Sequence, residues 1–147
     1  MILDKEKIIK KMNVINKALQ NLMELSRVSK EEFLSDFKYY DSAKYNLQVA
    51  IEAMIDIGNH IISRLDYEPP KTYADTFEIL NKHNILPKDK LNNYKLMAKF
   101  RNKIVHFYDD IDEEEIYNIL LNNLGDFEDF LKYISYFLEK VNNNNDN

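Results

Sequence analysis

The stretch from Phe100 to Tyr108 brings several side chains of chemical interest close together. Arg101, Asn102, His106 and Tyr108 lie within eight residues of one another. An imidazole titrates near neutral pH and can take or give a proton. A guanidinium carries a permanent charge and can bind two oxygens of a phosphate. These residues could therefore perform acid–base chemistry on an anionic substrate, although an Arg and a His near a helix end also occur in proteins without such a role.

The spacing of Arg101 and His106 raises a geometric question. The two residues are five positions apart, which corresponds to about 140° around the axis of a regular helix. They would not converge in an unbroken helix, whereas Asn102 and His106 would share a face. Two explanations remain open: the helix loosens near His106, or a second subunit brings its own copy of the motif to the same site.

The other two histidines of the chain have simpler interpretations. His60 lies one helical turn after Asp56, so the two side chains could pair on one face. Such a pair would be structural, or it would support a site nearby. His83 follows Lys82 at a predicted helix end, where it would help to satisfy carbonyl groups or face solvent.

Composition excludes several function classes. The 147 residues include no cysteine and only two glycines, so disulfides, thiolate metal sites and glycine-rich phosphate loops are excluded. A net charge of −5 and a pI of 5.2 argue against a general nucleic-acid binder. Any contact with RNA would need a local basic groove. No apolar stretch is long enough to span a membrane, and we expect a cytoplasmic protein.

The elements that must position these residues are helices. Apolar residues recur every three or four positions, prolines and glycines are scarce, and no strand is predicted. We therefore predict an all-α, up-and-down bundle of four to five helices in one domain, residues 1–141, followed by a disordered Asn-rich tail, residues 142–147. The predicted helices are Asp4–Leu25, Ser29–Leu65 with a bend near Tyr40–Ser42, Tyr73–Lys82, Lys88–Phe107 and Asp112–Val141.

The second predicted helix carries two apolar lines. The first line includes Leu47, Ile51 and Gly58, and the second includes Ala53 and Ile57. A surface helix needs only one such line, so this helix is expected to be buried from two directions, by the bundle and by a second subunit. The glycine would let another helix approach closely, at a cost of about 1 kcal/mol in helix propensity.

The motif and its surroundings resemble the HepT-like toxins, a family of HEPN-domain ribonucleases. Arg101, four residues, His106, one residue, Tyr108 is the form of motif found in that family. The resemblance covers about residues 41–135 and is clearest in the stretches 41–65, 73–87 and 100–112. The motif is specific in this helical context.

The resemblance implies a homodimer whose two motif copies face one cleft and cleave RNA without metal or other cofactor. His106 would act as general base or acid, and Arg101 would stabilise the charge of the transition state. Asn102 would orient His106 or the phosphate, and Asp56 would support the site if it faces the cleft. Lys99 and Lys103 flank the motif and could provide a local positive field; they could equally be solvated surface.

The resemblance also implies regulation at Tyr108. In HepT-like toxins the matching tyrosine is adenylylated by a partner nucleotidyltransferase antitoxin of the MntA type, which defines a type VII-like toxin–antitoxin system. A bulky anion two residues from His106 would repel the phosphates of RNA and block the cleft. Without this resemblance, the tyrosine would be interpreted as an aromatic residue that closes the core at a helix end.

Two alternatives come from other function classes. A non-catalytic helical binding subunit of a nucleotidyltransferase would keep the bundle and the dimer but would not need Arg101 together with His106. A di-metal carboxylate bundle would need Glu-x-x-His on facing helices, and the sequence contains no such spacing.

Overall fold

The computed structural model describes residues 2–145 of the chain, with side chains described for residues 2–142. It is all-α over this range, as predicted, and none of these helices is both long and apolar enough to cross a membrane. The α-helices are α1 (Lys5–Ser26), α2 (Lys30–Ser35), α3 (Phe37–Arg64), α4 (Tyr73–Lys82), α5 (Leu91–His106), α6 (Glu113–Asn122) and α7 (Leu124–Asn145), with single 3₁₀ turns at Lys88–Lys90 and Tyr108–Asp110.

Polar side chains at the helix starts fix these boundaries. Asp4 caps α1 and Ser29 caps α2, each by accepting a backbone N–H of the first turn. Thr72 begins α4 with a complete, reciprocal capping box. Asp112, the predicted start of the last helix, caps α6 by accepting the N–H of Glu114. A capping box with Glu115, which the sequence also suggests, is not formed in full.

The predicted Ser29–Leu65 helix is divided at Asp36, and residues 40–42, where a bend was predicted, lie within the continuous helix α3. Asp36 has an extended backbone (φ −134°, ψ 115°), and its side chain accepts the N–H of Lys38. It therefore caps α3 instead of continuing α2. Asp competes for local backbone donors in this way and favours caps over helix interiors.

The predicted last helix is also divided. Asn123 leaves helical geometry (φ −120°, ψ 0°) and separates α6 from α7. The α7 helix then continues to Asn145, past the predicted end at Val141, because adding a residue to a formed helix costs little. Residues 142–145 of the predicted tail are thus helical, and Asp146 and Asn147 lie outside the described residues.

The α5 helix differs from its prediction at both ends. The residues after Pro87 form a 3₁₀ turn before α5 begins at Leu91. The helix ends at His106, and Phe107 already has a non-helical backbone.

Helix α3 is the centre of the bundle. It packs against α1, α2, α4, α5 and α6, so the burial of both apolar lines is explained within one chain and does not require a second subunit. At Gly58, α4 approaches so closely that an added Cβ would lie 2.6 Å from Thr76 Cγ2. This contact confirms the predicted role of the glycine. Helix α3 is therefore held on several sides, and α5 packs against it.

Candidate active site

Helix α5 is continuous from Arg101 to His106. Its last turn is closed by the N–H of Phe107, which donates to the carbonyl of Lys103 over 2.8 Å. Arg101 and His106 therefore stay about 140° apart around the helix axis. Of the two explanations left open by the sequence, loosening of the helix before His106 does not occur.

The Arg101 guanidinium is held against α3 by Glu52. Its Nε donates to Glu52 Oε1 over 3.0 Å, and its Nη2 lies 3.0 Å from the same oxygen. Gln48, one turn earlier on α3, also donates to that oxygen, over 3.1 Å. On its other side the guanidinium lies over the ring of Tyr73, 4.8 Å from the centroid. Only 17% of the Arg101 side chain is exposed, so these contacts define its orientation.

Arg101 keeps N–H donors that can bind an anion. Its Nη1 donates to the side-chain oxygen of Asn102 over 3.2 Å. A guanidinium has five N–H groups, and the hydrogen bonds to Glu52 and Asn102 engage two of them, on Nε and Nη1. The other three, one on Nη1 and two on Nη2, can donate to the oxygens of a phosphate. Arg101 is thus both fixed in place and able to bind an anion.

His106 is the last residue of α5, and its imidazole is exposed. The residues on either side are exposed as well, Val105 at 41% and Phe107 at 59%. The ring is therefore accessible to a molecule that approaches this end of the helix. Exposed apolar side chains beside an exposed imidazole also suit burial by a second macromolecule.

Tyr108 lies in the 3₁₀ turn after α5 and is attached to the first half of α3. Its Oη donates to Asp41 Oδ1 over 3.1 Å. The buried ammonium of Lys44 lies 4.4 Å from the ring centroid of Tyr108 and 5.5 Å from that of Tyr40. Burial and the hydrogen bond to Asp41 raise the pKa of the Tyr108 phenol. The phenol thus stays protonated near neutral pH, while 42% of the residue remains exposed.

Asp56 and His60 do not form the predicted pair with each other. Asp56 binds Lys11 of α1 over 2.9 Å, although it lines a cavity of about 160 Å³ together with Arg101. The Nε2 of His60 accepts the backbone N–H of Asp4 over 3.1 Å. Burial lowers the pKa of His60, and the charge of nearby Lys7 lowers it further. Both side chains are satisfied by α1, which packs along α3.

His83 has the structural role predicted from its place at a helix end. Its backbone N–H donates to the carbonyl of Ile79 at the end of α4. Its ring stacks on Tyr67 at 3.5 Å and lies 3.2 Å from a carboxylate oxygen of Glu68. It fixes the loop between α3 and α4.

The flanking lysines provide less positive charge than expected. Lys103 binds Glu115 over 3.2 Å, and Arg101 is paired with Glu52, so both charges are largely matched. Lys99 is exposed and lines a groove that does not include Arg101. Among residues 2–142, no group of three or more His, Asp or Glu side chains is arranged to hold a metal ion.

Sequence reasoning missed the residues of α3 and α4 that hold the motif. Glu52, Asp41 and Tyr73 contact the motif from helices far away in sequence. The only local signal was that Glu52 precedes Asp56 by one turn, on the same face of α3. Choosing between two such carboxylates requires the packing of α5 on α3.

Comparison with known proteins identifies the family. The family model described as Ribonuclease HepT-like matches residues 15–134. The chain is 31% identical to the mRNA nuclease HepT of Shewanella oneidensis over 127 residues, covering 86% of this chain and 95% of the relative. It is 27% identical to the tRNA nuclease HepT of Aphanizomenon flos-aquae over 136 residues, covering 92% of each.

A solved structure agrees in fold as well as in sequence. The chain is 30% identical to the tri-AMPylated Shewanella oneidensis HEPN toxin solved in complex with MNT antitoxin. The superposition has a TM-score of 0.82 and covers 92% of this chain and 99% of the toxin. Because the family match spans all of the motif and the residues that hold it, the chain belongs to the HepT-like ribonuclease family.

Proposed function

We propose that this chain is a metal-independent endoribonuclease and the toxin of a type VII-like toxin–antitoxin pair. The observation that carries the proposal is the fixed guanidinium of Arg101, which keeps N–H donors for a phosphate, on the same helix end as the exposed imidazole of His106. The named nuclease relatives and the solved HEPN toxin support it.

The proposed reaction uses the 2′-hydroxyl of the RNA as nucleophile. One His106 takes the proton of this hydroxyl, and the 2′-oxygen of the RNA attacks the adjacent phosphorus. The bond from phosphorus to the 5′-oxygen breaks, and a second imidazole, already protonated, gives this oxygen its proton. The products are a cyclic phosphate and a 5′-hydroxyl. Arg101 binds the phosphate oxygens while negative charge grows on them.

The proposed active unit is a homodimer. A single chain has one His106, and its regular helix keeps that residue away from the face of Arg101. A two-fold axis near the end of α5 would supply the second imidazole and would cover the exposed Val105 and Phe107. Asp56 is retained as a proposed supporting residue, because it shares a cavity with Arg101.

Cleavage of a mixed RNA pool tests the nuclease proposal. We expect cleavage by the wild type in the presence of EDTA, and losses of at least 100-fold in both His106→Ala and Arg101→Ala. His83→Gln is the matched control, because it changes a histidine outside the site and should retain activity. Equal cleavage by His106→Ala and wild type would contradict the proposal. No cleavage by any of the proteins would favour the non-catalytic binding subunit.

The dimer proposal has its own measurement. Light scattering after size exclusion should give twice the chain mass, and activity per chain should fall on dilution as the dimer dissociates. A protein that is fully active as a monomer would contradict the shared cleft.

We also propose that a partner nucleotidyltransferase inactivates the enzyme at Tyr108. The phenol oxygen would attack the α-phosphorus of ATP, pyrophosphate would leave, and the phenol proton would be lost. The location of Tyr108, two residues from His106 and partly exposed, supports this, as does the tri-AMPylated toxin relative. The added phosphate would then repel RNA from the cleft.

Intact mass after incubation with the neighbouring transferase and ATP tests this modification. We expect the wild type and Tyr45→Phe to gain one or more adenylate groups, because Tyr45 is an exposed tyrosine of α3 outside the motif. Tyr108→Phe should gain none. An unchanged gain in Tyr108→Phe would refute the assignment.

A further inference from the structure

A cavity with mostly polar lining residues lies beside the smaller cavity that contains Arg101. It has a volume of about 390 Å³, and we call it the amide cavity because two asparagine side chains line it. Tyr73 lines both this cavity and the smaller one that contains Arg101. The lining residues are Asn59, Pro70, Lys71, Thr72, Tyr73, Thr76 and Asn102.

A hydrogen bond to the side-chain oxygen orients each of the two amides. The oxygen of Asn102 accepts a bond from Arg101 Nη1 over 3.2 Å, and a guanidinium can only donate. The oxygen of Asn59 accepts the hydroxyl proton of Thr76 over 2.7 Å. These two bonds engage the amide oxygens and leave the N–H groups of both amides as donors, and both residues line the cavity.

The other polar groups of the cavity add no free carboxylate. The hydroxyl of Thr72 accepts the N–H of Asp75. The carboxylate of Asp75 in turn accepts the N–H groups of Lys71 and Thr72. The backbone N–H groups of Lys71, Thr72 and Asp75 are therefore engaged within this segment. The exposed side chain of Lys71 adds another donor at the rim.

We propose that the amide cavity binds a keto-bearing base, uracil or guanine, of the nucleotide next to the scissile phosphate. Uracil and guanine present carbonyl oxygens on the edges where cytosine and adenine present an amino group. N–H donors from Asn59 and Asn102 would bind the carbonyls and would oppose amino groups. RNA-binding proteins read unpaired bases in this way, with an aromatic ring such as that of Tyr73 beside the base.

The location of the cavity relative to the phosphate site supports the assignment. Asn102 binds Arg101 directly, and Tyr73 contacts the same guanidinium. A phosphate bound by the remaining donors of Arg101 would thus have its neighbouring base within reach of the amides. This inference rests on the proposed nuclease function and specifies the substrate that the site selects, namely unpaired RNA with a keto base at the cut.

Cleavage of matched oligonucleotides tests the inference. Single-stranded RNAs that differ at one internal base would be compared for wild type, Asn59→Asp and Asn92→Asp. Asn59→Asp keeps the size of the side chain and the bond from Thr76 but replaces the donor by an acceptor. We expect the wild type to prefer U or G over A and C, and Asn59→Asp to lower that preference about tenfold or more. Asn92→Asp adds the same charge at an exposed position of α5 and should keep the wild-type preference.

The outcomes separate this inference from the nuclease proposal. Cleavage that depends on His106 but is indifferent to the base, or whose preference is unchanged in Asn59→Asp, would overturn the amide cavity alone. Cleavage that is independent of His106, or absent, would overturn the nuclease proposal and this inference with it. Binding of the same oligonucleotides by His106→Ala, measured by fluorescence anisotropy, should show the same order of bases.

Discussion

Removing the Glu52 carboxylate should separate the orientation of Arg101 from the stability of the bundle. In Glu52→Ala, Arg101 loses two contacts of 3.0 Å to one oxygen and keeps its contact with Tyr73. The guanidinium would then be free to turn away from the orientation that we propose for phosphate binding. Glu52→Gln keeps an oxygen acceptor at the same place and removes only the charge.

The expected magnitudes follow from the exposure of the pair. The exposed fractions are 17% for the Arg101 side chain and 36% for Glu52, so solvent screens the charge–charge part to about 1 kcal/mol or less. Leaving the guanidinium donors without partners adds about 1 kcal/mol. We therefore expect Glu52→Ala to lose about 1–2 kcal/mol of stability, a fall in Tm of roughly 3–6 °C. Misplacement of Arg101 should lower kcat by about 10–100-fold.

Thermal unfolding and steady-state cleavage of one RNA substrate measure the two effects. Glu52→Gln should recover most of kcat, which a merely destabilising change would not explain. Glu78→Ala is the comparison, because it removes a carboxylate of α4 that binds Lys95 instead of Arg101. The reasoning is refuted if Glu52→Ala retains wild-type kcat at a temperature where it is folded, or if Glu78→Ala loses as much.

Two further predictions concern stability. His60 accepts a backbone N–H of Asp4 in its neutral form, and burial lowers its pKa below the ordinary value of about 6.5. The unfolded chain therefore takes up this proton first, so the contribution is complete above about pH 6.5 and is lost as the pH falls towards the folded-state pKa. Urea unfolding at pH 7.5 and 5.5 should show a smaller decrease in His60→Gln than in wild type; equal decreases would exclude His60 as the cause. Gly58→Ala places a Cβ 2.6 Å from Thr76 and should cost about 1–3 kcal/mol, whereas Gly125→Ala, with nothing within 4 Å, should be neutral or slightly stabilising. A similar Tm for the two alanine variants would refute the close contact.

The sequence predicts what depends on local periodicity and short motifs. The predicted helix Tyr73–Lys82 has the same bounds as α4, and the predicted helix Asp4–Leu25 differs from α1 by one residue at each end. The breaks at Asp36 and Asn123 were not predicted, because the apolar pattern continues through both positions. Such breaks occur where a polar residue adopts a non-helical backbone and ends one helix. The spacing of the apolar residues carries no information about this.

The environment of the motif could not be predicted, because it depends on contacts between distant residues. Glu52 lies 49 residues from Arg101, and Asp41 lies 67 residues from Tyr108. The pairing of Asp56 with His60, which rested on helical spacing alone, is replaced by contacts with α1. Spacing shows which side chains share a face, but packing decides which neighbour each one meets.

The continuous helix α3 fixes the distance between the residue that binds Arg101 and the residue that binds Tyr108. Glu52, which holds the proposed catalytic arginine, and Asp41, which binds the tyrosine, stand eleven positions apart on this helix, or about 16 Å along its axis. Under the proposed function, a chemical group added to the tyrosine would not need to displace the arginine in order to inhibit the enzyme. Inhibition by occlusion would leave the proposed catalytic groups assembled, so removal of the added group would restore activity without refolding.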